Sequence, residues 1–227
     1  MQNDSAGPGS SEIVLMADPL VVAVSVRDNG ERLLDVRECD TLVVSALMAD
    51  GDGAYAKARS GVVERLVRAG EALPTGLRLM IFEGFRPPPL QRQIFDGYRD
   101  SLRRANPDWD DHRLRMAASR YVSPPELAPH SAGAAIDLTL CTDDGVELDL
   151  GTPVNATPEQ SDGACYTGHL EIGDHARRNR ALMGTALQTA GFVNYPTEWW
   201  HWSYGDRYWA LATNAPEAIY GSYPDQL

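Results

Sequence analysis

Three consecutive prolines, Pro87-Pro88-Pro89, constrain this chain more tightly than any other stretch. Proline lacks an N–H and cannot continue a strand ladder, yet its fixed φ suits the first turn of a helix. The apolar run Leu77-Arg-Leu-Met-Ile-Phe82 before them must therefore end as a strand. A helix can start at Pro89, where Leu90, Ile94, Tyr98 and Leu102 form one apolar stripe. Between the two lies Glu83-Gly-Phe-Arg86, a candidate functional loop held between a strand end and a rigid helix start.

The remaining punctuation predicts further elements. Ser60 can cap a helix whose Val62, Val63, Leu66, Val67 and Leu73 share a face, with Pro74 helping to stop it. Asp110 to Tyr121 reads as another helix. Ile136–Leu140 and Val146–Leu150 alternate around Asp144-Gly145, which predicts a tight hairpin. Gly151 to Gly173 is a polar loop too long for a plain connector. Asp174 can cap a helix running to Ala190 and ended by Gly191. Trp199–Tyr204 and Arg207–Leu211, separated by Gly205-Asp206, suggest a second hairpin. This order implies an α+β fold with a mainly antiparallel sheet flanked by helices. Residues 1–12, rich in Gly and Ser, read as a flexible tail. With no repeat or linker to divide the rest, residues 13–227 read as a single domain.

Charge narrows the partners. Among 227 residues, 32 are acidic and 20 basic, a formal charge of −12 that repels phosphate backbones and anionic head groups. Neither nucleic acid nor a membrane is expected as a partner. The apolar run Ile13–Val26 is broken by Asp18-Pro19 and has no basic residue ahead of it, unlike a secretory signal or a membrane span. A soluble, cytoplasmic protein is the expectation. Cys39, Cys141 and Cys165 are odd in number and widely spaced, so they read as reduced structural residues. A homo-oligomer is compatible with this composition, which leaves the oligomeric state open.

Two segments carry chemistry. His130-Ser-Ala-Gly-Ala-Ala-Ile-Asp137 and Glu198-Trp-Trp-His201 together offer two imidazoles and a carboxylate, a ligand set that catalytic zinc accepts while keeping a position for water. His130 and Asp137 are an odd number of residues apart, so a straight strand would point them to opposite faces; a turn at Gly133 lets His130 fold back beside Asp137. Glu198 and His201 are three apart, which is one face of a helix but opposite faces of a regular strand; Pro196 and the aromatic run favour a strand entry, so an irregular backbone is expected around Glu198. Glu198 serves better as a base than as a ligand, because a carboxylate beside a metal-bound water can take its proton and deliver it to a leaving amine. Arg86 offers a planar fork of donors for an oxygen that becomes negative during attack. Taken singly, each of these residues has an ordinary structural use, as hydrogen-bonded His, turn Asp, surface Glu or ion-paired Arg. Trp199, Trp200, Trp202 and Trp209 read as core or pocket wall, and His112, His169 and His175 as ordinary polar residues.

The joint pattern His130-x-x-Gly133-x-Ala135-x-Asp137 and Glu198-x-Trp200-His201 resembles the D-alanyl-D-alanine dipeptidases of the VanX type. These are zinc peptidases that share a fold with certain D,D-carboxypeptidases and the hedgehog signalling domain. The match extends to Glu83-Gly84-Phe85-Arg86-Pro87 and runs in order over most of residues 60 to 211. The resemblance implies one zinc ion per chain held by His130, Asp137 and His201. It also implies Glu198 as general base, Arg86 stabilising the tetrahedral intermediate, and a free dipeptide of D-amino acids as substrate. Two positions depart from the family: Ala128 stands where a Ser precedes the first zinc His, and Asn155 where an Asp pairs with the substrate ammonium. As a substrate-binding residue Asn155 offers a hydrogen bond without charge, a weaker clamp. A D,D-carboxypeptidase acting on peptidoglycan stems, and a hedgehog-like zinc-containing binding module without activity, are the alternatives; Glu198 and Arg86 favour hydrolysis.

Overall fold

A computed structural model describes residues 13–223, and the tail expected over residues 1–12 lies outside them. The first elements are α1 (Pro19–Val22), β1 (Leu33–Asp35), β2 (Val43–Val44) and β3 (Lys57–Arg59), all too short for hydrophobic periodicity to register. Next come α2 (Ser60–Glu71), β4 (Leu77–Glu83), α3 (Pro88–Ala105), α4 (Asp111–Ala118) and β5 (Ala135–Thr142). The chain continues through α5 (Asp174–Thr189), β6 (Val193–Asn194), β7 (His201–Ser203) and α6 (Arg207–Thr213). Five strands form one sheet in the order β2-β4-β5-β7-β6, in which β2 and β4 pair parallel and the other neighbours antiparallel. β1 and β3 make a separate antiparallel pair. This is the expected α+β class with a mainly antiparallel sheet.

The sheet is covered on both faces, which explains why β4 is a continuous apolar run. Leu79 and Ile81 join Val62, Val63 and Leu66 of α2 and Met183 and Leu187 of α5 in the main core. Met80 and Phe82 point the other way, into a smaller cluster with Cys141. α3 and α4 pack on each other through Phe95, Leu102, Leu114 and Ala118. A register shift between Ile81 and Glu83 brings Glu83 opposite Asp137, and Asp137 in turn pairs with His201. One row across β4, β5 and β7 thus carries three polar side chains, all buried.

Several local expectations change. The turn at Asp144-Gly145 forms, with Thr142 N–H donating to Val146 O at 2.9 Å, but Val146–Leu150 is not a strand; pairing stops at an isolated bridge between Cys141 and Glu147. Its carbonyls are taken by α5 instead, Asp149 O by Asn179 and Leu150 O by Arg180. Arg207–Leu211 lies in the helix α6 rather than in a hairpin arm. Asp206 accepts from Trp209 N–H at 2.9 Å and caps the helix, while β7 finds its second partner in β6. Capping also shifts by one residue: Arg59 and Gly173 hold the positions expected for Ser60 and Asp174. At α2 a distant carboxylate does the work, Glu31 accepting from Gly61 N–H at 2.7 Å and from the Ser60 hydroxyl.

The long polar loop is pinned from inside. Arg180 is buried and donates to the carbonyls of Leu150, Ala164, Tyr166 and Thr167, with no carboxylate partner among the described residues. Burial pushes its pKa down to about 10. Four carbonyl acceptors replace the water it has lost, and the loop that carries Asn155 is held against α5.

Candidate active site

His130 opens a 3-10 turn, His130–Ala132, closed by Gly133 at φ +66°. That left-handed backbone is strained for any residue with a Cβ, and an added Cβ would come within 2.5 Å of Leu33 Cδ2. The turn folds His130 back beside Asp137 of β5, as expected from the sequence. His130 Nε2 then lies 3.3 Å from Asp137 Oδ1, His201 Nδ1 3.0 Å from the same oxygen, and the two ring nitrogens 3.1 Å apart. On its far side the His130 ring donates from Nδ1 to Gly84 O at 2.7 Å, which leaves a lone pair on Nε2 facing the cluster.

Gly84 has no freedom to change. A Cβ there would sit 2.3 Å from the Lys57 carbonyl oxygen, a backbone atom that cannot swing aside. Gly84→Ala is expected to lower unfolding free energy by about 2–3 kcal/mol in urea titrations, and a variant as stable as wild type would show the contact to be slack.

Three acceptor atoms so close together repel one another unless a positive charge sits among them. Protons can serve only in part, since His130 already spends one on Gly84. The carboxyl of Asp137 would be raised by burial, yet His130 and His201 hold it well below the usual carboxylate range. Burial and Asp137 act oppositely on the two rings, leaving His130 raised and His201 lowered. His201 Nε2 is buried and has no hydrogen-bond partner among the described residues. A tetrahedral metal site with bonds of about 2.0–2.1 Å spaces its ligand atoms roughly 3.3 Å apart. The observed triangle therefore fits a divalent metal, and among the described residues His130, Asp137 and His201 form a group able to hold one.

Glu198 approaches from an irregular segment, as expected. Its N–H donates to Tyr195 O at 2.9 Å and its carbonyl accepts from His201 N–H at 3.2 Å, so β7 begins only at His201. Asn194 ties the segment down by donating to both Glu198 O and His201 O at 3.0 Å. Glu198 Oε2 ends 3.8 Å from His201 Nδ1. Burial first, and then the charge of Asp137, push the Glu198 pKa well above 4.5, against the pull of Arg86. A carboxyl raised in this way holds a proton more tightly than an ordinary carboxylate, which suits it to proton transfer.

Arg86 is aimed by its neighbours. Nε donates to Glu83 Oε1 at 2.7 Å, Nη2 to Glu83 Oε2, and Nη1 to Gln91 Oε1 at 2.8 Å. Arg86, His130, Asp137, Asn155, Glu198 and His201 line one cavity of about 130 Å³, walled by Met48, Ile94, Tyr121, Val122 and Ser123. The structure thus gathers all six residues singled out in the sequence. Asn155 is held at φ +64°, its carbonyl accepting from the Tyr121 hydroxyl at 2.9 Å. Ala128 is buried behind the turn and does not line the cavity, and Trp199, Trp200 and Trp202 lie in the core. Sequence reasoning missed the roles of Glu83, Gln91 and Tyr121. Glu83 stands in the segment that leads to Arg86 and Gln91 is a polar residue on a buried helix face, but neither signal shows that both meet one guanidinium.

A family model described as D-ala-D-ala dipeptidase, Peptidase_M15, matches residues 59–219. The chain belongs to this peptidase family. All six cavity residues fall inside the matched segment. A D-alanyl-D-alanine dipeptidase of Synechocystis is 29% identical over 178 residues, covering 69% of this chain and 72% of that protein. One from Escherichia coli K12 is 31% identical over 128 residues, or 56% and 55% of the two chains. One from Enterococcus faecium is 28% identical over 145 residues, or 62% and 69%. Membership makes the chain a hydrolase of the dipeptidase type, consistent with a metallopeptidase. Among the described residues no helix is long and apolar enough to cross a membrane.

Proposed function

We propose that this chain is a zinc-dependent dipeptidase that cleaves D-Ala-D-Ala or a related small dipeptide of D-amino acids, with residues 13–227 acting as one catalytic domain. The observation that carries the reading is the convergence of the His130, Asp137 and His201 ligand atoms, at 3.0–3.3 Å, in one small cavity with Glu198 and Arg86. His130, Asp137 and His201 would hold one zinc ion, which when bound supplies Lewis acidity toward water and the scissile carbonyl. Glu198 takes a proton from the attacking water and passes it to the departing amine. Its burial and its neighbour Asp137 give it a stronger hold on that proton than an ordinary carboxylate has, against the pull of Arg86. Arg86 donates to the carbonyl oxygen as negative charge develops there, and its ties to Glu83 and Gln91 place it in advance. Asn155 faces the amino end of the substrate. A cytoplasmic setting, expected from the sequence, accompanies this reading.

Arg86→Ala is expected to lower kcat by about 10²–10³-fold with KM changed only a few-fold, because the lost bonds strengthen in the transition state. Steady-state kinetics check it; a change confined to KM would make Arg86 a ground-state binder. The function itself is tested by giving the zinc-loaded protein dipeptides varied in stereochemistry at each end and reading the free amino acids. Hydrolysis of D,D-dipeptides is expected, and no turnover of any dipeptide would overturn the reading. One observation favours the second reading, a D,D-carboxypeptidase: Asn155 is neutral, and among the described residues Asp137 and Glu198 are the only carboxylates lining the cavity. A dipeptidase should prefer the free D,D-dipeptide to its N-acetylated form, and a carboxypeptidase the reverse.

A further inference from the structure

We propose that Gln91 is a positioning residue for Arg86, locking the guanidinium in the orientation that meets the developing oxyanion. This rests on the reading of Arg86 given above. Gln91 lies in the first turns of α3, is 1% exposed, and lines the same cavity. Its carbonyl oxygen accepts from Arg86 Nη1 at 2.8 Å and its amide nitrogen donates to Ser123 O at 2.7 Å. Those two partners fix the amide's orientation, since only oxygen can face the guanidinium and only NH₂ can face a carbonyl.

Glu83 alone leaves Arg86 a degree of freedom. It holds the Nε–Nη2 edge of the guanidinium from three residues away on the same segment, so the plane can still pivot about that edge. Gln91 grips the opposite corner from a different element. Of the five guanidinium N–H groups three are then engaged, leaving one on Nη1 and one on Nη2 for the cavity. The Ser123 carbonyl completes the brace by tying Gln91 to the loop that walls the cavity. A buried amide is costly in a helix otherwise packed through Phe95 and Leu102, and both its hydrogen bonds are spent on this brace.

A double-mutant cycle on the zinc-loaded full chain tests the role. Gln91→Met keeps the length of the side chain and removes both bonds. With D-Ala-D-Ala it should lower kcat tenfold or more and leave KM within threefold. In an Arg86→Ala background the same substitution should change kcat less than twofold. Affinity for a phosphinate dipeptide analogue, a tetrahedral anion, should fall in step with kcat. Gln91→Glu, which restores an acceptor for Arg86, should recover at least fivefold of the Gln91→Met loss. Should Gln91→Met fail to fold, Gln91→Asn, too short to reach Arg86, replaces it in the cycle. A kcat within twofold of wild type, or equal losses with and without Arg86, overturns the positioning role while the dipeptidase reading stands. An inert zinc-loaded wild type overturns both.

Discussion

Glu198→Gln is expected to lower kcat by roughly 10²–10⁴-fold while leaving bound metal at the wild-type level. The carboxylate is not among the three ligand atoms that converge, so its loss leaves the metal triangle of His130, Asp137 and His201 intact. What disappears is the group that moves the proton from water to the leaving amine. Because burial and Asp137 already disfavour its charge, the neutral amide should not lower the melting temperature of the metal-free protein. Metal analysis, kinetics and a thermal melt on one preparation check all three statements. Full activity in Glu198→Gln would remove Glu198 from the proton path.

His130→Ala is expected to abolish turnover by a different route, through loss of the metal. Alanine removes one of three ligand atoms and also leaves Gly84 O without its donor, so the segment that carries Arg86 loses an anchor as well. Dialysed protein should retain almost no metal. The rise in melting temperature that metal gives the wild type should vanish too, since an ion held only by the folded state stabilises it by about 4 kcal/mol at a thousand times its dissociation constant. A His130→Ala variant with stoichiometric metal and an undiminished melting shift would exclude His130 as a ligand.

The site was more legible in the sequence than the fold around it. His130, Asp137, Glu198 and His201 could be picked out together as a candidate set because a metal accepts few residue types and because the paired motifs resemble those of a known family, and the turn at Gly133 and the irregular segment at Glu198 could be expected from their spacing. Arg86 could be read from the strand end and the prolines after it. The second arm of the first hairpin could not, because what stops it is distant: Arg180 and Asn179 of α5 take its carbonyls. The segment Arg207–Leu211 misleads because its aromatic run resembles a strand, while Asp206 caps a helix there. The roles of Glu83 and Gln91 emerge only when a strand bulge and a helix turn bring both to one guanidinium.

Stripping the metal with a chelator and titrating zinc back, while following D-alanine released from D-Ala-D-Ala, tests the zinc-dipeptidase reading most directly. Activity should be absent from the metal-free protein, rise in proportion to added zinc, and level off at one ion per chain. Full activity without metal, or one zinc bound per chain with no hydrolysis of this or any other dipeptide, would contradict it.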